Sequence, residues 1–333
     1  MNKKIISQCL LAAGILSAVS FAHADEGRGF YVGGFAGAGR SGNQDVEQTG
    51  TAHKFGDTGY SYGGSKYDFN LAVDVKGNAK RDTSGLGGVH VGYEWATTSW
   101  GVKPALELEA YYVGADQNSN LANPNDEIVT LKSTAPSAYD NSTDTNYTTH
   151  TTAYDYTGGP NQTKFQDAIQ NYANGHYGAG EHRFQDHMKM NAGIFMANMV
   201  FTYDTGSMFK PYVGGGLGFA VINMNSASSF QTSPSANPNF EMSGGVNGTP
   251  VNHFNSNTSA YDVGFASQVK LGLRADLDKN WSAFVEYRYL HINSTEYTFG
   301  STVYPDHSAT DNWNYKSGSM DFNNALAGVE YAF

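Results

Sequence analysis

The sequence predicts an all-β protein, an eight-stranded antiparallel up-and-down transmembrane β-barrel with long extracellular loops, and three observations carry this prediction. Eight stretches alternate apolar and polar residues with the period of a β-strand. The connections between these stretches alternate strictly between long and short. Aromatic residues gather beside the short connections, where transmembrane barrels place an aromatic girdle.

Each alternating stretch is long enough to cross a bilayer as a tilted strand. The stretches run near 30–39, 85–95, 101–113, 188–203, 211–224, 261–277, 281–292 and 322–333. In the last one, the apolar face ends at Phe333 and the opposite face carries Glu330. An apolar outer face and a charged inner face are typical of a strand whose outside contacts lipid.

The connections predict which end of the barrel carries the loops. The tight connections are 96–100, 204–210 and 278–280, and the long ones are 40–84, 114–187, 225–260 and 293–321. Short periplasmic turns and long external loops are the usual arrangement of outer-membrane barrels. The stretches 66–76 and 127–132 also alternate, which leaves ten strands as an alternative. We expect instead that the barrel strands and loop hairpins extend past the membrane.

The first residues indicate export. Residues 1–24 carry Lys3 and Lys4, then a short apolar stretch and a small-residue site with cleavage expected after Ala24, as in a secretory signal peptide. Residues 25–333 then form the barrel domain. Cys9, the one cysteine of the chain, lies in the signal peptide, so the remaining chain has no thiol for disulfides or thiol catalysis. The net charge of −11 without a basic block argues against nucleic-acid binding.

Four segments carry a resemblance to a known family. They are FYVGGFAGAG, PYVGGGLGFA, WSAFVEYRYLHI and AGVEYAF, at the first, fifth, seventh and eighth strands. They resemble the OmpA/Opa-type small outer-membrane barrels, surface antigens often described as outer membrane β-barrel or porin family proteins. The resemblance implies a multi-pass, monomeric protein of a Gram-negative outer membrane, in contact with its lipid and lipopolysaccharide. It also implies that the barrel assembly machinery reads Val329, Tyr331 and Phe333.

Charged residues fall on the inner face of several predicted strands. They are Glu94, Glu107, Glu109, Lys270, Arg274, Glu286, Arg288 and Glu330. An eight-stranded barrel is only wide enough to be filled by side chains, so buried charges there require partners. We predict a salt-bridge network that plugs the lumen, with a gated ion pathway as the alternative. We expect no catalytic residue, metal or cofactor.

The aromatic girdle is predicted beside the tight turns. Its members are Trp95, Trp100, Tyr203, Phe209, Tyr212 and Trp281. The stretch 188–203 is less regular, because Asn198 shares a face with Ile194, Met196 and Val200. A bulge or a different register would explain that face.

The function predicted from these features is that of a structural or adhesin-like surface protein, whose loops contact host surface molecules. Tyrosines of the second long loop are candidate contacts: Tyr139, Tyr147, Tyr154, Tyr156, Tyr172 and Tyr177. The alternative is a small gated channel. A lipid A-modifying enzyme is less favoured, because the segment His291-Ile292-Asn293 has Asn where such an enzyme has its serine, and Ser294 is expected on the other face. We therefore expect no enzyme.

Overall fold

A computed structural model describes residues 28–54, 60–62, 65–67, 69–80, 82–122, 183–233, 251–302 and 310–333. The predicted signal peptide and the tyrosines of the second long loop lie outside these residues. Within the described ranges, no helix is long and apolar enough to cross a bilayer. The strands are β1 Gly29–Ser41, β2 Gln44–Lys54, β3 Tyr60–Tyr62, β4 Ser65–Tyr67, β5 Phe69–Ala79, β6 Thr83–Glu94, β7 Val102–Ala122, β8 Arg183–Tyr203, β9 Phe209–Ser233, β10 Ala260–Asp276, β11 Trp281–Ile292, β12 Thr295–Phe299, β13 Trp313–Ser317 and β14 Met320–Ala332.

Eight of these strands close into an antiparallel ring. Their order is β1, β6, β7, β8, β9, β10, β11 and β14, and β14 returns to β1. The last residue takes part in the closure, because the Phe333 N–H donates to the Phe30 carbonyl at 3.0 Å. The prediction of eight strands is confirmed, and the ten-stranded alternative is wrong.

The other long strands continue the barrel wall above the ring. β2 follows β1 and β12 follows β11, while β5 and β13 lead into β6 and β14. These four strands pair with one another, and β5 joins the upper end of β7 through 76–79 and 119–122. On the other side, the Glu296 N–H on β12 donates to the Asp262 carboxylate on β10 at 2.8 Å. We call this upper part of the wall the extension. Its strands lie in ranges expected as loops, as the alternation at 66–76 indicated, while 127–132 lies outside the described residues.

Short turns connect the strands at the lower end of the ring. In the turn before β11, Asp278 accepts hydrogen bonds from the N–H groups of Asn280 and Trp281 at 2.8 and 2.7 Å. In the turn before β9, Gly206 has a φ of +69°, a conformation that glycine adopts without strain. Both turns are therefore fixed by local backbone chemistry.

Strand β8 resolves the irregular face seen in the sequence. Ile194, Met196, Asn198 and Val200 are all buried and point into the barrel. The pairing of β8 with β9 is regular from 189 to 202, and its irregularity lies higher, between His187 and Lys189. Asn198 therefore shares an inner face with apolar neighbours, and no bulge occurs beside it.

The prediction of the aromatic girdle is wrong for one of its members. Tyr212 points into the barrel, where its hydroxyl donates to Glu286 Oε2 at 2.9 Å. Its neighbours along β9, Pro211 and Val213, are exposed instead. Gly272 on β10 makes room for the inward ring, since a Cβ there would lie 2.3 Å from the Tyr212 Cζ atom.

Candidate functional site

The outer face of the ring is apolar over the part next to the short turns. Large hydrophobic side chains are exposed there on all eight strands: Val32, Val89, Leu106, Leu108, Met199, Phe201, Val213, Leu217, Phe219, Phe265, Val269, Leu271, Val285 and Val329. From Phe209 to Phe219 this face is about 33 Å long at about 3.3 Å per residue. Outer-membrane strands tilt by about 40°, which gives a height of about 25 Å. We call this face the apolar band.

Aromatic residues mark both edges of the apolar band. At the turn end, five members of the predicted girdle are exposed: Trp95, Trp100, Tyr203, Phe209 and Trp281. At the other edge, Tyr112, Tyr287 and Tyr289 face outward and donate their hydroxyls to Asn191, Asn323 and Asp321. Each of these upper tyrosines thus has its ring against apolar surface and its hydroxyl on a polar group.

Above the upper tyrosines, the outer face becomes polar. Exposed side chains there include Asp45, Asp74, Lys76, Asp116, Asn118, Asn120, Lys189, Asn223, Glu296, Asn314 and Lys316. The Lys76 ammonium lies 3.0 Å from Glu47 Oε1, and this contact raises the pKa of Lys76. The wall therefore has an apolar outside below the tyrosines and a charged outside above them.

The interior of the barrel has the opposite order of polarity, with charged side chains below and apolar side chains above. Inside the apolar band, all eight charged residues predicted for the lumen are buried, with exposed fractions of 8% or less. Arg288 lies at the centre of one cluster: its Nη2 atom is 2.9 Å from Glu109 Oε1 and 2.7 Å from Glu286 Oε1. Its guanidinium also stacks on the rings of Phe35 and Tyr111, at 4.6 and 4.9 Å from their centroids. Arg288 therefore connects the charges to the aromatic core.

Lys270 connects the next pair of carboxylates. Its Nζ atom is 2.8 Å from Glu109 Oε1 and also donates to Glu107. The Tyr31 hydroxyl donates to Glu107 Oε2 at 3.0 Å, and the Asn198 amide donates to Glu109 Oε2 at 3.0 Å. Both carboxylates are therefore satisfied by cations and neutral donors together.

A third cluster lies nearer the turns. Arg274 Nη1 is 2.8 Å from Glu94 Oε2. Glu330 accepts from Arg28 and lies 3.3 Å from His90 Nε2. Sequence reasoning missed Arg28, which precedes the first strand, and His90, although the latter shares the inner face of Glu94. The predicted charges thus form linked ion pairs across the lumen, with these two additions.

Above the charges, the interior is packed with apolar and aromatic side chains. The largest buried ones at this level are Tyr297, Phe299, Trp313 and Tyr315 of the extension, together with Phe184 on β8 and Phe254. Phe254, from the segment before β10, folds inward and stacks on Phe299 at 4.5 Å between ring centroids. His253 lies edge-on to Phe184 and to Trp313, both at 5.3 Å. These side chains form a second closure above the ion pairs.

Among the described residues, one fully buried carboxyl group lies within this upper core. Asp186 is fully buried on the part of β8 above the apolar band, and burial raises its pKa to about 7. With the Gln48 amide oriented so that its nitrogen faces the carboxyl group, this nitrogen lies 2.9 Å from Asp186 Oδ2 and the amide oxygen accepts from the Ser229 hydroxyl at 3.1 Å. His187 points to the opposite face and contacts Asn118 at 2.8 Å. Neutral groups thus solvate the Asp186 carboxyl.

One set of lumen residues has the composition of a metal site. His90, Glu107 and Glu109 each offer a ligand atom, and these atoms lie within 4.8 Å of one another. Both carboxylates already accept hydrogen bonds from Lys270. A metal ion would have to displace this ammonium group, so the three residues do not fit a metal site.

Comparison with known proteins gives matches at the level of structure alone. No protein-family model matches the chain, and no curated protein matches it. Similar solved structures include Neisserial surface protein A, with 12% identity over 93% of this chain and 100% of that chain and a TM-score of 0.30. The outer membrane protein OprG from Pseudomonas aeruginosa has 10% identity over 92% and 97%, with a TM-score of 0.31. The outer membrane protease OmpT from Escherichia coli has 9% identity over 95% and 99%, with a TM-score of 0.30. At these values, we infer function from the chain's own residues.

Proposed function

We propose that the protein is an integral outer-membrane surface protein of a Gram-negative bacterium, in which a closed barrel anchors segments that bind partners outside the cell. The inversion of polarity along the barrel axis carries this proposal. A barrel segment with apolar outer side chains and charged inner ones is suited to contact with lipid. A segment with charged outer side chains and apolar inner ones is suited to contact with water. The apolar band supports a bilayer position between the short turns and the upper tyrosines, and in this proposal the extension lies outside the cell.

The orientation can be tested with single cysteines, because the chain's one cysteine lies in the predicted signal peptide. Lys316→Cys places a thiol on the outer face of the extension, and Thr205→Cys places one in a short turn. We expect a membrane-impermeant maleimide to label only the first variant on intact cells and both variants in lysed cells. Labelling of Thr205→Cys alone on intact cells would contradict the orientation.

The adhesin-like role is assigned to the residues between β7 and β8, 123–182, which lie outside the described ranges. Ala122 and Arg183 are directly opposed at the end of the β7–β8 ladder. An Asn-Gly turn can therefore replace 123–182 without disturbing the ladder. We expect bacteria expressing this variant to lose adhesion to cultured host cells while the barrel keeps its heat-modifiable migration on gels. Unchanged adhesion would argue against this role of the segment.

A small gated channel is the second candidate, and the continuous series of ionisable side chains through the lumen favours it. The upper aromatic core argues against it, because it closes the same axis. We expect the refolded protein to be silent in a planar bilayer. Stable openings whose conductance changes in Arg288→Ala would instead favour the channel and would make the ion pairs its gate.

A further inference from the structure

Three adjacent strands place a serine, a histidine and an aspartate in one row on the outer face of the barrel. Ser267 on β10 is directly opposite His291 on β11, and His291 is directly opposite Asp321 on β14. Directly opposed residues on one face have Cβ atoms about 5 Å apart. The sequence contained no such pairing, because the three residues are brought together by strand register alone.

The aspartate holds the histidine ring. His291 Nδ1 lies 2.7 Å from Asp321 Oδ1, and the Tyr289 hydroxyl donates to the same oxygen at 2.6 Å. The other ring nitrogen, Nε2, therefore lies on the side of the ring away from this contact. Among the described residues, Nε2 and the Ser267 hydroxyl make no hydrogen bond to each other or to another side chain, so the serine and the histidine have to approach each other when substrate binds. A histidine oriented by a carboxylate, with a serine on its other side, is the arrangement that activates a serine nucleophile.

An apolar groove leads along the outer face to this row. It has a volume of about 660 Å³ and is lined by aliphatic side chains, including Leu106, Met199, Leu217 and Val269. Gly215 contributes no side chain, which opens the groove, and Ser267 and Tyr289 also line it. Because the groove lies in the apolar band, the occupant we expect is the acyl chain of a neighbouring lipid.

The height of the three residues along the barrel axis determines which bond of a lipid lies near Ser267. His291 and Asp321 lie at the upper edge of the apolar band, beside the tyrosine hydroxyls, and Ser267 lies just inside this edge, one outward position below Phe265. This edge corresponds to the boundary between the hydrocarbon core and the polar headgroups. The ester bonds that join acyl chains to lipid headgroups lie at that boundary. A chain held in the groove would thus place its ester beside Ser267.

We propose that Ser267, His291 and Asp321 form an acyl-ester hydrolase site for lipids of the outer leaflet. Ser267 Oγ attacks the ester carbonyl carbon while His291 Nε2 takes the hydroxyl proton. The bond to the alcohol oxygen breaks as that oxygen receives the proton, which leaves the acyl group on Ser267. Water then attacks the acyl carbonyl carbon while His291 Nε2 takes a proton from it, His291 gives this proton to Ser267 Oγ as the acyl bond to Ser267 breaks, and a fatty acid leaves. One water is consumed for each ester, and no cofactor is needed.

Turnover by this site is expected to be slow. The N–H groups of the surrounding strands are used in the sheet, so they do not provide an oxyanion hole, and removal of one such donor slows other hydrolases by about 10²–10³-fold. Covalent trapping is therefore a more sensitive measurement than product release. Asp321 is a positioning residue, because it acts through His291.

The test uses the full chain refolded in vesicles and an alkyl fluorophosphonate, which reacts with activated serines. We expect one adduct on Ser267, no adduct in Ser267→Ala, and labelling at least about 10²-fold slower in His291→Asn. Ser294→Ala is the matched control, since Ser294 is the exposed serine three residues from His291, and it should label normally. An adduct that persists in Ser267→Ala, or no adduct on the folded chain, would overturn the proposal.

Two further measurements separate catalysis from a structural role and identify the lipid. In Asp321→Asn, labelling of Ser267 should slow, because the ring of His291 loses the carboxylate that orients it, and Asp321→Glu should restore the labelling rate; an unchanged rate in Asp321→Asn would contradict its positioning role. Fatty acid release from phospholipid vesicles or from lipopolysaccharide-containing vesicles would assign the ester to one source. Release from neither, with the barrel shown to be folded, would overturn the hydrolase.

Discussion

At the scale of single residues, the stability of the lumen depends on buried charged side chains that contact one another instead of water. Arg288 is 1% exposed and contacts Glu109 and Glu286. We expect Arg288→Met to lower the free energy of unfolding by about 3–5 kcal/mol, because it leaves both carboxylates without this partner. The matched control is Lys316→Met on the exposed face of the extension, which should change it by less than about 0.5 kcal/mol. Denaturant titration of the refolded barrel measures both; equal effects would contradict a buried network.

Asp186 gives the upper core a dependence on pH. Its folded pKa, about 7, exceeds the ordinary 3.8, so the folded state binds more protons than the unfolded state between these values. Stability is therefore present at low pH and is lost as pH rises from about 4 to about 7, by about 1.4 kcal/mol per pH unit at most. We expect Asp186→Asn to abolish this loss, and Asp116→Asn, on the exposed face of β7, to keep it. Denaturant midpoints at pH 5 and pH 8 measure the difference; a wild-type midpoint that rises with pH would contradict the assignment.

At the scale of elements, the extension depends on close packing between strands. Trp313 on β13 is fully buried against Gly50 on β2, where a Cβ would lie 2.1 Å from the Trp313 Cε3 atom. We expect Gly50→Ala to displace the ring and to destabilise the extension by about 1–3 kcal/mol. Gly85→Ala on β6 is the control, since a Cβ there meets nothing within 4 Å. Protease digestion should cut the extension faster in the first variant alone; identical digestion would argue against this packing.

The elements also indicate what the sequence could predict. Period-two alternation identified the ring strands and the inner charges, because buried charges and an apolar outer face repeat every second residue. The girdle prediction rested on position beside a short turn and failed for Tyr212, whose place inside depends on space left by Gly272 on the neighbouring strand. Alternation also does not state which face is inside, so the apolar inner face of β8 resembled an irregularity. The row formed by Ser267 and His291 depends on strand register, which one sequence does not specify.

At the scale of the whole molecule, one signal in the sequence marks where the polarity inverts. Along β7, the apolar residues Leu106, Leu108 and Tyr112 occupy even positions, and Val113, Ala115 and Leu121 occupy odd positions, although the strand has no break between the two sets. Leu106 and Leu108 are exposed, whereas Val113 and Leu121 are buried. Because the apolar residues change from one face of the strand to the other without a bulge, the outer face of the barrel passes from contact with lipid to contact with water at that point.

The most direct test of this account is a spin-label accessibility scan along β7, with single labels at Leu106, Leu108, Asp116, Asn118 and Asn120. The account requires labels at 106 and 108 to collide with oxygen dissolved in lipid. Labels at 116, 118 and 120 should collide with a water-soluble nickel complex instead. The crossover is expected between Tyr112 and Asp116. Access of the nickel complex to positions 106 and 108 in the reconstituted barrel would contradict the central claim that the apolar band lies in the bilayer.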